Sequence, residues 1–167
     1  MKNIDTENHT MGTSVYVDDV LVPEGTLYGC VFYSQAAHGK IQNLNLDKAR
    51  AAEGVVKIYT SNDVPGENQI GGIFPDEPLF AEREVHFWGQ PVAFLVAESE
   101  RVAKMACELI SLEIETLPVI IDPREAAEKE QLIMAPLEFK LGDTNEAFKD
   151  CDHIVEGVAE SGGQEHL

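Results

Sequence analysis

The stretch from Val85 to Thr116 constrains the fold most, because four element signals follow one another there almost without spacers. Val85–Trp88 and Pro91–Ala97 carry the strongest strand signals in the chain, with Gly89-Gln90-Pro91 marking a bend between them. Ser99 stands where a helix needs an N-cap, and Glu100 places negative charge in the first turn, where it suits the helix dipole. Val102, Met105, Ala106 and Leu109 recur at three- and four-residue steps, which predicts a helix with one apolar face. Leu112, Ile114 and Thr116 then alternate with Glu113 and Glu115, the pattern of a half-buried strand.

The flanking sequence is punctuated in the same way. Residues 1–11 are polar and are expected to be flexible. Thr13–Val17 is expected to be extended and to end in turn chemistry at Asp18-Asp19 and Pro23-Glu24-Gly25. Leu27–Tyr33 predicts a buried strand, and Ile41, Leu44 and Leu46 predict a second extended segment. Asp47 can cap a short helix over Lys48–Glu53 that Gly54 ends, with a strand following at Val55–Tyr59. Residues 65–80 are dense in glycine and proline and predict a loop. Asp122-Pro123 opens a helix to about Glu130, Asp143 caps another to Lys149, and His153–Ala159 is expected to be a strand. Mixed strands and helices with short connections and no regular βα alternation point to a compact α+β fold.

Composition removes several function classes. The 167 residues carry a formal net charge of −18, which argues against a nucleic-acid surface, since phosphate binding needs a concentrated basic patch. No apolar run approaches the ~20 residues a membrane helix needs, and the N-terminus has no secretory-type apolar core. Cys30, Cys107 and Cys151 are widely spaced and form no Cys-x-x-Cys, so they are expected to be reduced thiols in a cytoplasmic protein.

The residues alone show no catalytic constellation and no metal site. The five histidines are far apart in sequence, and His38 is expected to be structural. Asp18 and Asp19 are expected to cap turns, and Phe87 and Trp88 to serve core or inter-domain packing. Gly162-Gly163 followed by Gln164 stands out, because paired glycines permit a close backbone approach and the amide can face a ligand. A plain turn or a frayed terminus explains the same residues.

Several short motifs, taken in order, resemble the molybdenum-binding part of the xanthine dehydrogenases and aldehyde oxidases. They are Tyr16-Val17-Asp18-Asp19, Ala37-His38-Gly39-Lys40-Ile41, Gly54-Val55-Val56, Asp63-Val64-Pro65-Gly66, Phe80-Ala81, Gly89-Gln90-Pro91-Val92-Ala93, Glu115-Thr116-Leu117-Pro118, Gly142-Asp143 and Gly162-Gly163-Gln164-Glu165-His166. Thr116 stands where a second Glu is common in the family.

The resemblance implies an α/β hammerhead domain, a mixed sheet with packed helices, over residues 12–120. It further implies a connecting segment at 121–145 and the start of a molybdopterin-binding domain at 146–167. The implied chemistry is hydroxylation of a purine, an N-heterocycle or an aldehyde with oxygen taken from water. Gln164 is implied to lie beside the molybdenum, with Gly162 and Gly163 allowing close backbone approach. The glutamate base and most pterin contacts are implied to belong to segments beyond this chain, so the chain is expected to be inactive alone and to bind no cofactor alone. Implied partners are the remainder of the molybdenum subunit and the domains or subunits that carry iron–sulfur clusters and FAD. Met1 close to the first motif suggests a separately encoded molybdenum subunit, of which this is a fragment. The alternative is a free-standing hammerhead module for binding or assembly. Neither the substrate nor a homodimer follows from the sequence.

Overall fold

The structure, a computed structural model, describes residues 4–163. The chain forms two compact units, residues 1–120 and 121–167. No helix among the described residues is long and apolar enough to cross a membrane.

The first unit is built on β5, Pro91–Ala97. Ala93, Leu95 and Ala97 on one face, and Val92 at the start of the other, are each at most 1% exposed, while Phe94 and Val96 are half-buried. Its two edges pair antiparallel with β1, Tyr28–Tyr33, and β3, Val55–Tyr59, giving the order β1-β5-β3. The helix α3, Glu100–Cys107, packs against β1 and β5, and Ser99 Oγ caps it by accepting from Val102 N.

The buried side of α3 consists of Ala103, Ala106 and Cys107, with Ile110 just beyond, while Met105 and Leu109 are exposed. Half of the expected face is kept, since Ala106 is buried and Val102 packs against the core, but Ala103 and Cys107 stand in place of Met105 and Leu109. Small side chains let the helix axis come close to a sheet whose facing residues include Ala93 and Ala97, and Met105 has no room there. The short helix α2, Asp47–Arg50, adds Leu46 and Ala49 to the same core. It is shorter than expected, and Asp47 lies inside it; Asn45 Oδ1 accepts the Asp47 N–H instead.

A second antiparallel sheet has the order β4-β2-β6, with β2 at Gly39–Asn45, β4 at Glu84–Val85 and β6 at Ser111–Thr116. Gly39 sits opposite Val85 on one side and Thr116 on the other. Ala81, Val85 and Val92 form its small core, and Phe32 and Leu44 pack against both cores and so join the two sheets. β4 is two residues long rather than the four expected. Gly89 has φ +84°, and His86, Phe87 and Trp88 leave the sheet to enter that turn. Phe87 and Trp88 are exposed there and take no part in the core of this unit, which leaves the inter-domain packing also expected of them.

Val17–Asp19 forms a single 3-10 turn, in line with turn chemistry there. Ile4–Met11, expected to be loose, contains the helix α1.

The second unit contains α4, Pro123–Glu128, and α5, Thr144–Lys149. Both start as the sequence predicts. Asp122 Oδ1 accepts from Arg124 N and Glu125 N, and Asp143 Oδ1 accepts from Glu146 N. The strand expected at His153–Ala159 is absent; those residues are irregular and exposed. No described residue of this unit is buried, so nothing is present to make an edge strand pair.

Gly39 is the tightest backbone crossing in the second sheet. A Cβ there would meet the Ile114 side chain and stand 2.7 Å from the Glu115 carbonyl oxygen, which the β2–β6 ladder holds in place. Gly39→Ala is expected to destabilise the chain by roughly 1–3 kcal/mol in urea titration, the usual range for overpacking. A midpoint equal to that of the unsubstituted chain would contradict this packing.

Candidate functional site

The register of the second sheet brings three chemically active side chains together. His38 precedes β2, Glu84 lies on β4 and His86 follows it. Because Gly39 is opposite Val85, their neighbours His38, Glu84 and His86 converge at one end of the sheet. His38 Nε2 lies 2.9 Å from Glu84 Oε1, and His86 Nδ1 lies 3.8 Å from the same oxygen. The two imidazole rings stack with centroids 6.1 Å apart and planes at 29°. One ligand-capable atom from each residue falls within 4.8 Å of the others.

Each member is held from behind. His38 Nδ1 lies 2.8 Å from the Pro118 carbonyl oxygen, and a carbonyl only accepts, so Nδ1 carries the hydrogen. The backbone of His86 donates to Gln90 Oε1 at 2.7 Å, and Gln90 is itself only 1% exposed. Gln90 O accepts from Ser34 N, and Gly89 N donates to Ser34 O, so the turn is tied to the end of β1. The Gln90 Nε2 amide has no partner among the described residues. His38 and Glu84 are half-buried, whereas the His86 side chain is 59% exposed.

The electrostatics follow from these contacts. The Pro118 carbonyl, and after it the Glu84 carboxylate, raise the His38 pKa above the ordinary 6.5. The His38 hydrogen bond, with His86 and Lys40 adding to it, holds the Glu84 carboxyl below 4.5. The His38 contribution to stability is complete below 6.5 and is lost as pH rises through the folded value. The Glu84 contribution is present above 4.5 and is lost as pH falls through its folded value. The pair is therefore strongest from about 4.5 to 6.5, the interval between the two unperturbed values.

Beside this cluster, Glu84 and His86 line a surface cleft together with Glu67, Asp76, Glu82 and Arg83. The 65–80 loop that forms the other wall is pinned by Asn68, whose side chain donates to Phe80 O and accepts from Phe80 N.

The candidates named from sequence lie elsewhere. Gly162 and Gly163 stand in exposed irregular chain, and a Cβ on either would meet nothing within 4 Å, so they form no cradle around a ligand by themselves. Gln164 lies outside the described residues. Asp18 and Asp19 sit in the 3-10 turn, where Asp19 Oδ2 accepts from Tyr16 N, a capping role. The cysteines are free thiols, and burial pushes the Cys107 thiol up to about 12, with Cys30 beside it adding to the shift. The His38–Glu84–His86 cluster escaped the sequence because Glu84 lies 46 residues after His38 and only the β2–β4 register joins them.

In NMR titration of the metal-free protein, His38 is expected to titrate above 6.5. Glu84→Gln lowers that value but leaves it above 6.5, because the Pro118 bond persists. An unchanged His38 value in the variant would contradict the pairing.

Comparison with known proteins gives a consistent set of likenesses. Residues 11–118 match the family model described as aldehyde oxidase and xanthine dehydrogenase, α/β hammerhead domain. The chain is 35% identical over 158 residues to a xanthine dehydrogenase of Emericella nidulans, an alignment covering 93% of this chain and 12% of that protein. It is also 35% identical over 156 residues to the xanthine dehydrogenase/oxidase of Gallus gallus, covering 93% of this chain and 11% of the relative. Among solved structures, a reconstituted CO dehydrogenase from Oligotropha carboxidovorans matches with TM-score 0.68 and 35% identity, over 75% of this chain and 16% of that one. An aldehyde oxidoreductase from Desulfovibrio gigas matches with TM-score 0.67 and 28% identity, over 74% of this chain and 15% of the other. The chain thus spans about 12% of the length of the curated relatives it matches.

Proposed function

The chain belongs to the aldehyde oxidase and xanthine dehydrogenase family, and from that premise we propose that it is the N-terminal portion of the molybdenum-binding subunit of an oxidoreductase. The whole enzyme hydroxylates a purine, an N-heterocycle or an aldehyde with oxygen from water, in the cytoplasm. Molybdopterin supplies that redox chemistry when bound, and iron–sulfur clusters and FAD on other domains or subunits carry the electrons away. Within this chain the hammerhead unit is the scaffold. Gln164, with Gly162 and Gly163, is the segment that approaches the cofactor once the rest of the subunit is present. Gly162 and Gly163 enclose no group by themselves, so no catalytic step is assigned to this chain.

The observation that carries this reading is the exposure of the second unit. Ile121, Ile133, Leu137, Phe139 and Val155 are each at least 90% exposed, and no described residue from 121 onward is buried. A self-sufficient module hides most such side chains, and this many large apolar residues left in water within one short unit point to further protein that covers them. That favours a part of a larger subunit over a free-standing binding module.

Two measurements test the proposal. Elemental analysis of the purified chain is expected to find no molybdenum, and its optical spectrum no visible absorbance; a stoichiometric amount of molybdenum would contradict the missing-segment account. The chain is expected to bind a hydrophobic dye, and Ile133→Ser with Leu137→Ser and Phe139→Ser is expected to remove most of that fluorescence without shifting the thermal midpoint. Undiminished fluorescence, or a lowered midpoint, would show that these residues are covered or bear load.

A further inference from the structure

We propose that His38, Glu84 and His86 form a binding site for a single divalent transition-metal ion of the Zn²⁺ type, on the hammerhead unit. The argument starts from lone pairs. The Pro118 carbonyl fixes the hydrogen of His38 on Nδ1, so the Nε2 lone pair of the neutral ring points at a carboxylate oxygen 2.9 Å away. At 2.9 Å the contact is closed either by a proton on Nε2, which then donates to Glu84, or by a cation that takes that proton's place. A second imidazole, His86, approaches the same oxygen at 3.8 Å, and its ring stacks on the first. A proton on Nε2 satisfies only the first contact. A cation seated among the three atoms satisfies all of them.

The dimensions suit such an ion. Metal–ligand bonds of about 2.0–2.1 Å in a tetrahedral site place neighbouring ligand atoms about 3.3 Å apart. The two separations to Glu84 Oε1, 2.9 and 3.8 Å, bracket that value and change by about half an ångström or less on binding, while the His38–His86 separation, within 4.8 Å, is the one that closes most. The exposed His86 side chain has the freedom to make its part of that adjustment.

The supporting shell resembles that of known metal sites in kind. A ligating histidine commonly donates its other ring N–H to a carbonyl or carboxylate, as His38 does to Pro118. The buried Gln90 side chain holds the backbone of His86 by accepting its N–H, and leaves the His86 ring free to turn.

Two imidazoles and one carboxylate select a borderline transition ion. Ca²⁺ and Mg²⁺ prefer sets made of oxygen ligands. Three protein ligands leave a fourth position for water. Glu84 and His86 both line the cleft, where Glu67, Asp76 and Glu82 outnumber Arg83 and draw cations inward. The site lies within residues 1–120 and does not depend on the molybdenum reading.

The test is calorimetric titration of the EDTA-stripped full chain with Zn²⁺, and separately with Mg²⁺. One equivalent of Zn²⁺ is expected to bind, and Mg²⁺ is expected not to compete. His86→Ala keeps the His38–Glu84 pair and removes an exposed side chain, so it folds, and it is expected to weaken Zn²⁺ binding at least tenfold. His38→Ala has the same effect, and His153→Ala, outside the cluster, leaves binding unchanged. Titration with Co²⁺ is expected to produce a visible absorption band that His86→Ala abolishes. Absence of Zn²⁺ binding by the intact chain, binding undiminished in His86→Ala, or equal displacement by Mg²⁺ would each overturn the proposal.

Discussion

Pairing of β5 on both edges and burial of its Ala93–Leu95–Ala97 face is the constraint on which the first unit depends. A strand so paired has little freedom of register, since a shift by one residue would bring the half-buried Phe94 and Val96 into the core in place of Ala93, Leu95 and Ala97. One face receives α3, and Val92 at its start reaches the smaller core under the second sheet. Gln90, immediately before it, anchors the turn that carries His86. The turn leading into β5 thus holds one member of the histidine cluster, and the β2–β4 pairing brings the other two to it.

Much of this is legible in the sequence, because the strongest signals are local. Ser99, Asp122 and Asp143 act as the caps their positions predict, and β1, β3, β5 and β6 lie where β-branched and alternating residues place them. Local signals fail where packing decides. The buried side of α3 is chosen by how near the helix can approach β5, so Ala103 and Cys107 join the expected Ala106 in place of Met105 and Leu109. Val85 remains in a strand, but the positive φ at Gly89 pulls the aromatic residues before it into solvent. The histidine cluster was beyond local reasoning altogether, since it exists only through the pairing of β2 with β4.

The second unit shows the opposite imbalance. Its helix starts are well formed, with carboxylate caps and Lys129–Glu125 and Lys149–Glu146 pairs on the surface. Each helix has only six residues, and such short helices are marginal in water without packing. The strand expected at 153–159 fails for the same reason: a strand needs a buried side, and these residues are exposed. Good local chemistry without a core fits a segment whose folding is completed by further protein, which is the substance of the functional proposal.

Native-state hydrogen exchange on the intact chain tests that division most directly. The amides of β5, with those of β1, β3 and α3, are expected to be the most protected, and those of residues 121–163 are expected to exchange at close to unstructured-chain rates. Protection across 121–163 comparable to that of β5 would show that the second unit is stable by its own means, and would contradict the account of this chain as a scaffold awaiting the rest of its subunit.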